Sequence, residues 1–262
     1  MPAHSSQPSP HGAAPFFVDA VDLGRMSYAD AFEEQRVRHA AVLDERDMAR
    51  DPGNLGTVLL VEHDPPVITV SRRPTAASHL LASADALARM GVQVEETDRG
   101  GDITYHGPGQ LVAYPIIDLN RAHLRLHPYI RLIEQAVIDT AERFGVRTTR
   151  DPDATGVWTI DEHGYPDAKL AAVGVRVRRW VAMHGLAMNI STDLDHFRLI
   201  VPCGLAGRPV TSLEQQLEQS PTVDQVKPVL VARLRELLRA RSDAPSPGTD
   251  KRAADRFDRP LS

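Results

Sequence analysis

One cysteine, one lysine and one glycine-bearing loop carry most of the chemistry that can be read from this chain. Cys203 is the sole cysteine among 262 residues and stands between Pro202 and Gly204. A lone cysteine is commonly a small buried hydrophobe. A Pro/Gly turn instead favours exposure of the sulfur, where a nearby cation would raise its thiolate fraction. Lys169 opens the run Lys169-Leu170-Ala171-Ala172-Val173-Gly174. If a strand starts at Lys169, alternation places its side chain on the face of Val173, Val175 and Val177, where desolvation favours a neutral amine able to act as a base. A strand-end lysine that snorkels to water is the simpler reading of that residue alone. The loop Arg99-Gly100-Gly101-Asp102-Ile103-Thr104-Tyr105-His106-Gly107-Pro108-Gly109-Gln110 combines four glycines with an arginine and a histidine. That composition suits a backbone brought very close to a ligand, although two tight turns at strand ends would also account for it.

Other chemistries lack their residues. The glycine loop is not followed by Gly-Lys-Ser/Thr and does not match the dinucleotide fingerprint. The eleven histidines show no His-Glu-x-x-His, no Cys-x-x-Cys exists, and there is no Gly-x-Ser-x-Gly elbow. No metal and no cofactor are therefore expected. With 42% hydrophobic and 25% charged residues the chain has the composition of a soluble globular protein. Its formal charge of −5 gives no general reason to bind nucleic acid. No apolar run of about 18 residues exists to span a membrane. The N-terminus lacks the layout of a signal peptide, so the cytosol is the expected location. Local basic clusters at Arg72-Arg73, Arg121 with Arg125, and Arg176-Val177-Arg178-Arg179 read either as solvated surface or as landing points for an acidic protein.

The elements that must position these groups alternate between helix and strand. Residues 1–15 and 241–262 read as disordered tails rich in breakers and charges, and residues 16–240 as one domain. Helices are expected over Ser27–Asp47, Pro128–Phe144 and Thr222–Ala240. Pro228 predicts a kink or a later start in the last of these. Strands are expected over Thr57–Glu62, Val67–Val70, Leu111–Leu119, Val157–Ile160, Leu170–Arg178 and Val181–Ile190. Only Arg179-Trp180 separates the final two, which suggests an antiparallel hairpin. The expected class is thus α/β (α+β), a mixed β-sheet flanked by helices.

Together these stretches closely resemble the lipoyl(octanoyl) transferase family, also called lipoate-protein ligase B. The signature Arg-Gly-Gly-x-x-Thr-Tyr-His-Gly-Pro-Gly-Gln is met at 99–110 and continues through Leu111-Val112-Ala113-Tyr114-Pro115. The family's lysine segment matches 169–174, its His-Gly-x-Ala-x-Asn matches 184–189, and its Pro-Cys-Gly matches 202–204. The resemblance covers about Val18 to Ala240. Two departures stand near Asp64, where the chain has one extra residue, and at Ser71, where the family commonly has glycine. The resemblance implies the catalytic-domain fold shared by lipoate- and biotin-protein ligases, with Cys203 as acyl-accepting nucleophile and Lys169 as the residue that activates it and shuttles protons. It implies that Arg99, Gly100, Gly101, Asp102, Ile103, Thr104, Tyr105 and His106 line an acyl pocket with Ala172, Val173, Gly174, Gly185, Leu186 and Ala187. The implied donor is octanoyl-acyl carrier protein. The implied acceptors are lipoyl domains of 2-oxoacid dehydrogenase complexes and glycine cleavage H protein. An ATP-dependent lipoate or biotin ligase on the same fold, or a non-catalytic acyl-protein-binding module, are the competing readings.

Overall fold

Ser27, Ser83 and Ser212 supply short polar caps that start helices in this chain. Ser27 accepts a hydrogen bond from the amide of Asp30 and opens α1 (Tyr28–Asp47), with the Asp30 carboxylate in the positive first turn. The computed structural model describes residues 16–48, 53–201 and 208–242, so Cys203 with its neighbours Pro202 and Gly204, and most of both expected tails, lie outside the described residues. In chain order the elements are β1 (Phe17–Met26), α1, β2 (Asn54–His63), β3 (Val67–Ser71), α2 (Ala84–Met90), β4 (Gln93–Thr97), β5 (Ile103–His106), β6 (Gln110–Ile117), α3 (Leu126–Arg143), β7 (Thr148–Arg150), β8 (Val157–Ile160), β9 (Pro166–Arg178), β10 (Val181–Asn189), α4 (Leu213–Gln216) and α5 (Val223–Ser242). Short 3₁₀ turns occupy Ala76–His79 and Leu194–Leu199.

A seven-stranded sheet has the order β1-β2-β6-β10-β9-β8-β7, and a three-stranded sheet the order β4-β3-β5. Both are mixed: β1 runs parallel to β2 and β4 parallel to β3, while the other pairs are antiparallel. The expected α/β class and the β9–β10 hairpin are therefore found. At the hairpin's tip Arg179 and Trp180 have φ of 51° and 63°, the left-handed pair of a two-residue type I′ turn.

Differences from expectation have local causes. Helix α3 begins at Leu126 rather than Pro128, because a proline in the first turn forfeits no intrahelical donor. Helix α5 starts at Val223 and runs through Pro228 to Ser242. The carbonyl that Pro228 leaves unpaired, that of Asp224, belongs to an exposed first turn where water can reach it. Strand β1 shows no alternating pattern in the sequence because Asp19, Asp22 and Gly24 interrupt it. It is an edge strand with two register shifts, and edge strands tolerate such residues.

One face of the large sheet packs on α3 and α5 through an apolar cluster that includes Ile117, Ile133, Val137, Leu170, Ala171, Leu230 and Leu234. The opposite face carries α1, with Leu59, Val61, Val112, Tyr114 and Ala187. The small sheet has its own cluster of Ile68, Leu87, Ile103, Tyr105, Phe197 and Ile200.

Candidate active site

The Gly107-Pro108-Gly109 turn joins the two sheets. The amide of Gln110 donates to Gly107 O at 3.2 Å, with proline at the second position and Gly109 at the third with φ of 78°, the requirements of a type II turn. Gly109 is also gripped: its carbonyl accepts from the amides of Ile190 and Ser191, and its amide donates to Glu62 Oε2 at 2.9 Å. Strand β5 therefore leaves the small sheet and β6 enters the large one across a fixed corner, and the space between them forms a cavity that is partly open to solvent, about 470 Å³ with its mouth included.

Alternation in β5 decides which loop residues reach that cavity. Thr104 and His106 line it, while Ile103 and Tyr105 point into the cluster of the small sheet. Asp102 does not line it either; its carboxylate lies 2.8 Å from His79 Nδ1. Of the expected lining residues, Arg99, Gly100, Gly101, Thr104, His106, Ala172, Val173, Gly174, Gly185, Leu186 and Ala187 are brought together. Tyr28, Val112, Tyr114 and His184 also line the cavity; all but Tyr28 stand within the quoted motifs, none of them as an expected lining residue.

Close approach explains two of the glycines. A Cβ on Gly100 would sit 2.8 Å from Val175 O, and one on Gly174 would sit 2.8 Å from Gly100 O. The loop thus lies on β9 backbone to backbone, sealed by the bond from Gly100 N to Val175 O at 3.0 Å. Arg99 ties the loop to β3 through Thr69 O and Thr69 Oγ1, each 2.9 Å from its Nη2. Ser71, the departure from the family's glycine, donates its hydroxyl to Gly101 O at 3.1 Å and so adds a further tie to the same loop.

Two backbone irregularities turn polar side chains toward this space. In β8–β9 pairing, Val157 faces Ala171 but Trp158 faces Lys169, so Leu170 is an inserted bulge residue. Leu170 and Ala171 both enter the α3/α5 core, and Lys169 is moved to the opposite face. The expectation that Lys169 shares the face of Val173, Val175 and Val177 is thereby corrected. Lys169 is buried at 7% exposure in a smaller space of about 320 Å³ bounded by Thr104, Ala172, Ala187, Asn189, Phe197 and Val210. Thr104, Ala172 and Ala187 border both spaces, which makes them adjoining chambers. His184, at φ 57°, breaks the alternation of β10 in the same sense. Its neighbours Ala182 and Leu186 join the α3/α5 core, whereas its ring stacks on Phe32 of α1 at 5.5 Å. Its amide donates to Gln35 Oε1 at 2.9 Å.

The wall is polar yet uncharged at its histidines. Burial pushes His63, behind the wall, down to about 4, and pushes His106 well below the ordinary imidazole range. His184 is also lowered by burial, against the opposing pull of Asp98. The neutral His184 ring, with Nε2 2.9 Å from Asp98 Oδ1, holds that carboxyl below its usual range by hydrogen bonding. Asp98 also pairs with Arg176, so this arginine is engaged in the fold, whereas Arg178 is exposed.

A hydrogen-bonded chain then links the motifs. His106 Nδ1 meets Gln110 Oε1 at 2.7 Å, Gln110 Nε2 donates to Asn189 Oδ1 at 2.9 Å, and Asn189 Nδ2 donates to Thr211 O at 2.9 Å. The amide of Thr211 reaches Lys169 O at 3.0 Å, and Lys169 N donates to Pro209 O at 2.9 Å. On the other side of positions 202–207, Val201 N donates to His79 O at 2.8 Å. One described flank of that segment is therefore bound to Lys169 and the other to His79.

Known proteins resemble this arrangement. The profile of the lipoyl protein ligase A/B catalytic domain matches residues 31–235. An octanoyltransferase of Koribacter versatilis is 43% identical over 216 residues, covering 81% of this chain and 81% of its own length. One from Geobacter sulfurreducens is 44% identical over 212 residues, again 81% of each chain. Among solved structures, a lipoate protein ligase of T. acidophilum with bound lipoic acid superposes with a TM-score of 0.59 at 16% identity, covering 85% of this chain and 86% of that one, a likeness of fold.

Proposed function

Since the chain belongs to the lipoyl protein ligase A/B catalytic-domain family and is an acyltransferase that serves lipoylation by octanoyl transfer, we propose that it takes the octanoyl group from an acyl carrier protein and places it on a lysine of lipoyl domains through a Cys203 thioester. The acceptors are the lipoyl domains of 2-oxoacid dehydrogenase complexes and the glycine cleavage H protein. The reaction runs in the cytosol, where a free thiol stays reduced. The observation that carries this reading is the pair of adjoining chambers with Lys169 buried at one end.

In the first half-reaction the Cys203 thiolate attacks the carrier's thioester, the octanoyl–enzyme thioester forms, and the carrier leaves as a thiol. Exchange between similar thiols is nearly isoenergetic, so no ATP is needed. In the second, the acceptor lysine attacks, loses a proton, and forms the more stable amide while Cys203 is released. Lys169 serves both halves: its ammonium favours the thiolate, and its amine accepts the proton of the incoming lysine. Backbone amides of the Arg99–Gln110 loop are candidates to meet the developing oxyanion, a contribution of about 3 kcal/mol per donor. The neutral histidines and the apolar Val112, Val173 and Leu186 suit an uncharged acyl chain.

The test is intact-mass analysis after incubation with octanoyl-carrier protein without ATP. We expect one octanoyl addition on Cys203 and none on Cys203→Ala. An equal adduct on that variant, or transfer that strictly requires ATP, rejects the covalent route.

A further inference from the structure

Trp158 is fully enclosed, at 1% exposure, and its indole Nε1 donates to Ala154 O at 3.2 Å. Cross-strand pairing across the bulge sets it opposite Lys169, where directly opposed side chains share one face. Lys169 Nζ lies 4.8 Å from the ring centroid. The guanidinium carbon of Arg208 lies 4.1 Å from the same centroid, with its charge neutralised by Asp151 at 2.5 Å.

The lysine's stem is already fixed. Its backbone is bonded to Pro209 and Thr211, and its Cε would stand 3.2 Å from a Cβ on Gly156, so it runs over bare backbone. The Gly156 amide is held in turn by Glu134 Oε1 at 3.0 Å. Among the described residues no carboxylate or hydrogen-bond acceptor engages the Lys169 amine. A carboxylate there would trap the ammonium and occupy its protons. An aromatic face attracts the cation through its quadrupole and leaves the N–H groups available.

We propose that Trp158 is a positioning residue for acyl transfer: its indole face holds the Lys169 amine at the end of the inner chamber while leaving its protons free to exchange. The inference rests on the reading of Lys169 as the acid–base group. Trp158 thereby sets the rate of proton transfer without touching substrate, and affects turnover rather than carrier binding.

The experiment replaces Trp158 by fluorotryptophans of increasing fluorine content, which weaken the ring's quadrupole and keep its shape. Trp180→Phe removes the chain's other tryptophan. We expect kcat to fall progressively by roughly tenfold across the series, with KM for the octanoyl-carrier protein and the melting temperature unchanged. The slope persists in Arg208→Ala. A flat series, a slope that tracks melting temperature, or a slope lost in Arg208→Ala overturns the proposal. Lys169→Met separates the two levels: inactive Lys169→Met beside a flat series rejects Trp158 alone, whereas fully active Lys169→Met rejects the acid–base reading and this inference with it.

Discussion

The two faces of the seven-stranded sheet are built by opposite rules. The α3/α5 face absorbs the bulge with apolar residues, since Leu170 and Ala171 both enter its core, and its helices present mainly apolar stripes: Leu132, Ile133, Ala136, Val137 and Ala141 from α3, beside the buried Glu134 and Thr140, and Val226, Leu230 and Leu234 from α5. On the α1 face the bulge delivers Lys169 and the left-handed backbone of His184 delivers its ring, and the helix answers with polar groups. Gln35 and His39 lie in the buried stripe of α1; Gln35 receives the amide of His184, and His39 Nε2 sits 3.3 Å from Arg178 O. A regular face supplies stability through burial, roughly 1.5–3 kcal/mol for each large side chain. An irregular face aims polar groups into a cavity and needs a polar helix to satisfy the backbone it disturbs.

The largest expected effect lies on the irregular face. Lys169→Met keeps the stem and its contact with Trp158 but removes the amine. We expect acyl transfer to fall by about 10³-fold with a melting temperature close to the parent's, measured by single-turnover transfer and calorimetry. Ile133→Ala is its counterpart on the regular face. A fully buried isoleucine truncated to alanine costs about 2–5 kcal/mol, read by urea unfolding, while turnover per folded molecule stays the same. If Lys169→Met proves as destabilising as Ile133→Ala, the division between the faces fails.

The same division explains what could be read from sequence. Regular elements are legible: the pattern of β8 ends where the strand does, at Val157 and Ile160, the two-residue gap marks the β9–β10 hairpin, and the spacing of apolar residues marks α3. The composition of the glycine loop leaves ligand approach and tight turns both open; a tight turn is present at Gly107-Pro108-Gly109, and the loop also borders the cavity. Lys169's face was misjudged because both Leu170 and Ala171 are apolar, so a bulge between them leaves no mark in the pattern. His184 adopts a left-handed conformation with no glycine to announce it. Tyr28 and Tyr114 come from α1 and β6, and nothing in their local sequence shows that a cavity opens between them. In retrospect Gln35 and His39 were a signal, since polar residues in the buried stripe of a helix must bond to something.

A third test uses the histidine beneath the cavity. His63 is fully buried, with Nε2 2.7 Å from Tyr114 Oη. Burial lowers it from 6.5 to about 4. Above pH 6.5 neither the folded nor the unfolded chain protonates it. Between pH 6.5 and 4 the unfolded chain binds a proton that the folded chain refuses, so stability falls as pH falls and levels off below about 4. The total is about 3 kcal/mol at roughly 1.4 kcal/mol per unit. Urea unfolding of the parent and His63→Gln across this window should show the parent losing about that much more. Parallel curves would mean that the irregular face tolerates a buried imidazolium.

The smallest effect separates strain that serves the site from strain that does not. Arg179 and Trp180 adopt left-handed φ values at the hairpin tip, which costs ordinary residues roughly 1 kcal/mol each. Their side chains give little in return, since Trp180 is 46% exposed and Arg179 makes an exposed ion pair with Asp47 at 3.5 Å. The backbone bond from Leu119 N to Trp180 O, 2.8 Å, survives any side-chain change. Arg179→Asn with Trp180→Gly supplies the residues that a type I′ turn prefers. We expect it to raise stability by about 1 kcal/mol with transfer unaltered. His184→Gly relieves the same kind of strain but forfeits Asp98 and the Phe32 stack. It should lower both stability and transfer, and a gain in stability there would show that the left-handed His184 is not what its side-chain contacts hold in place.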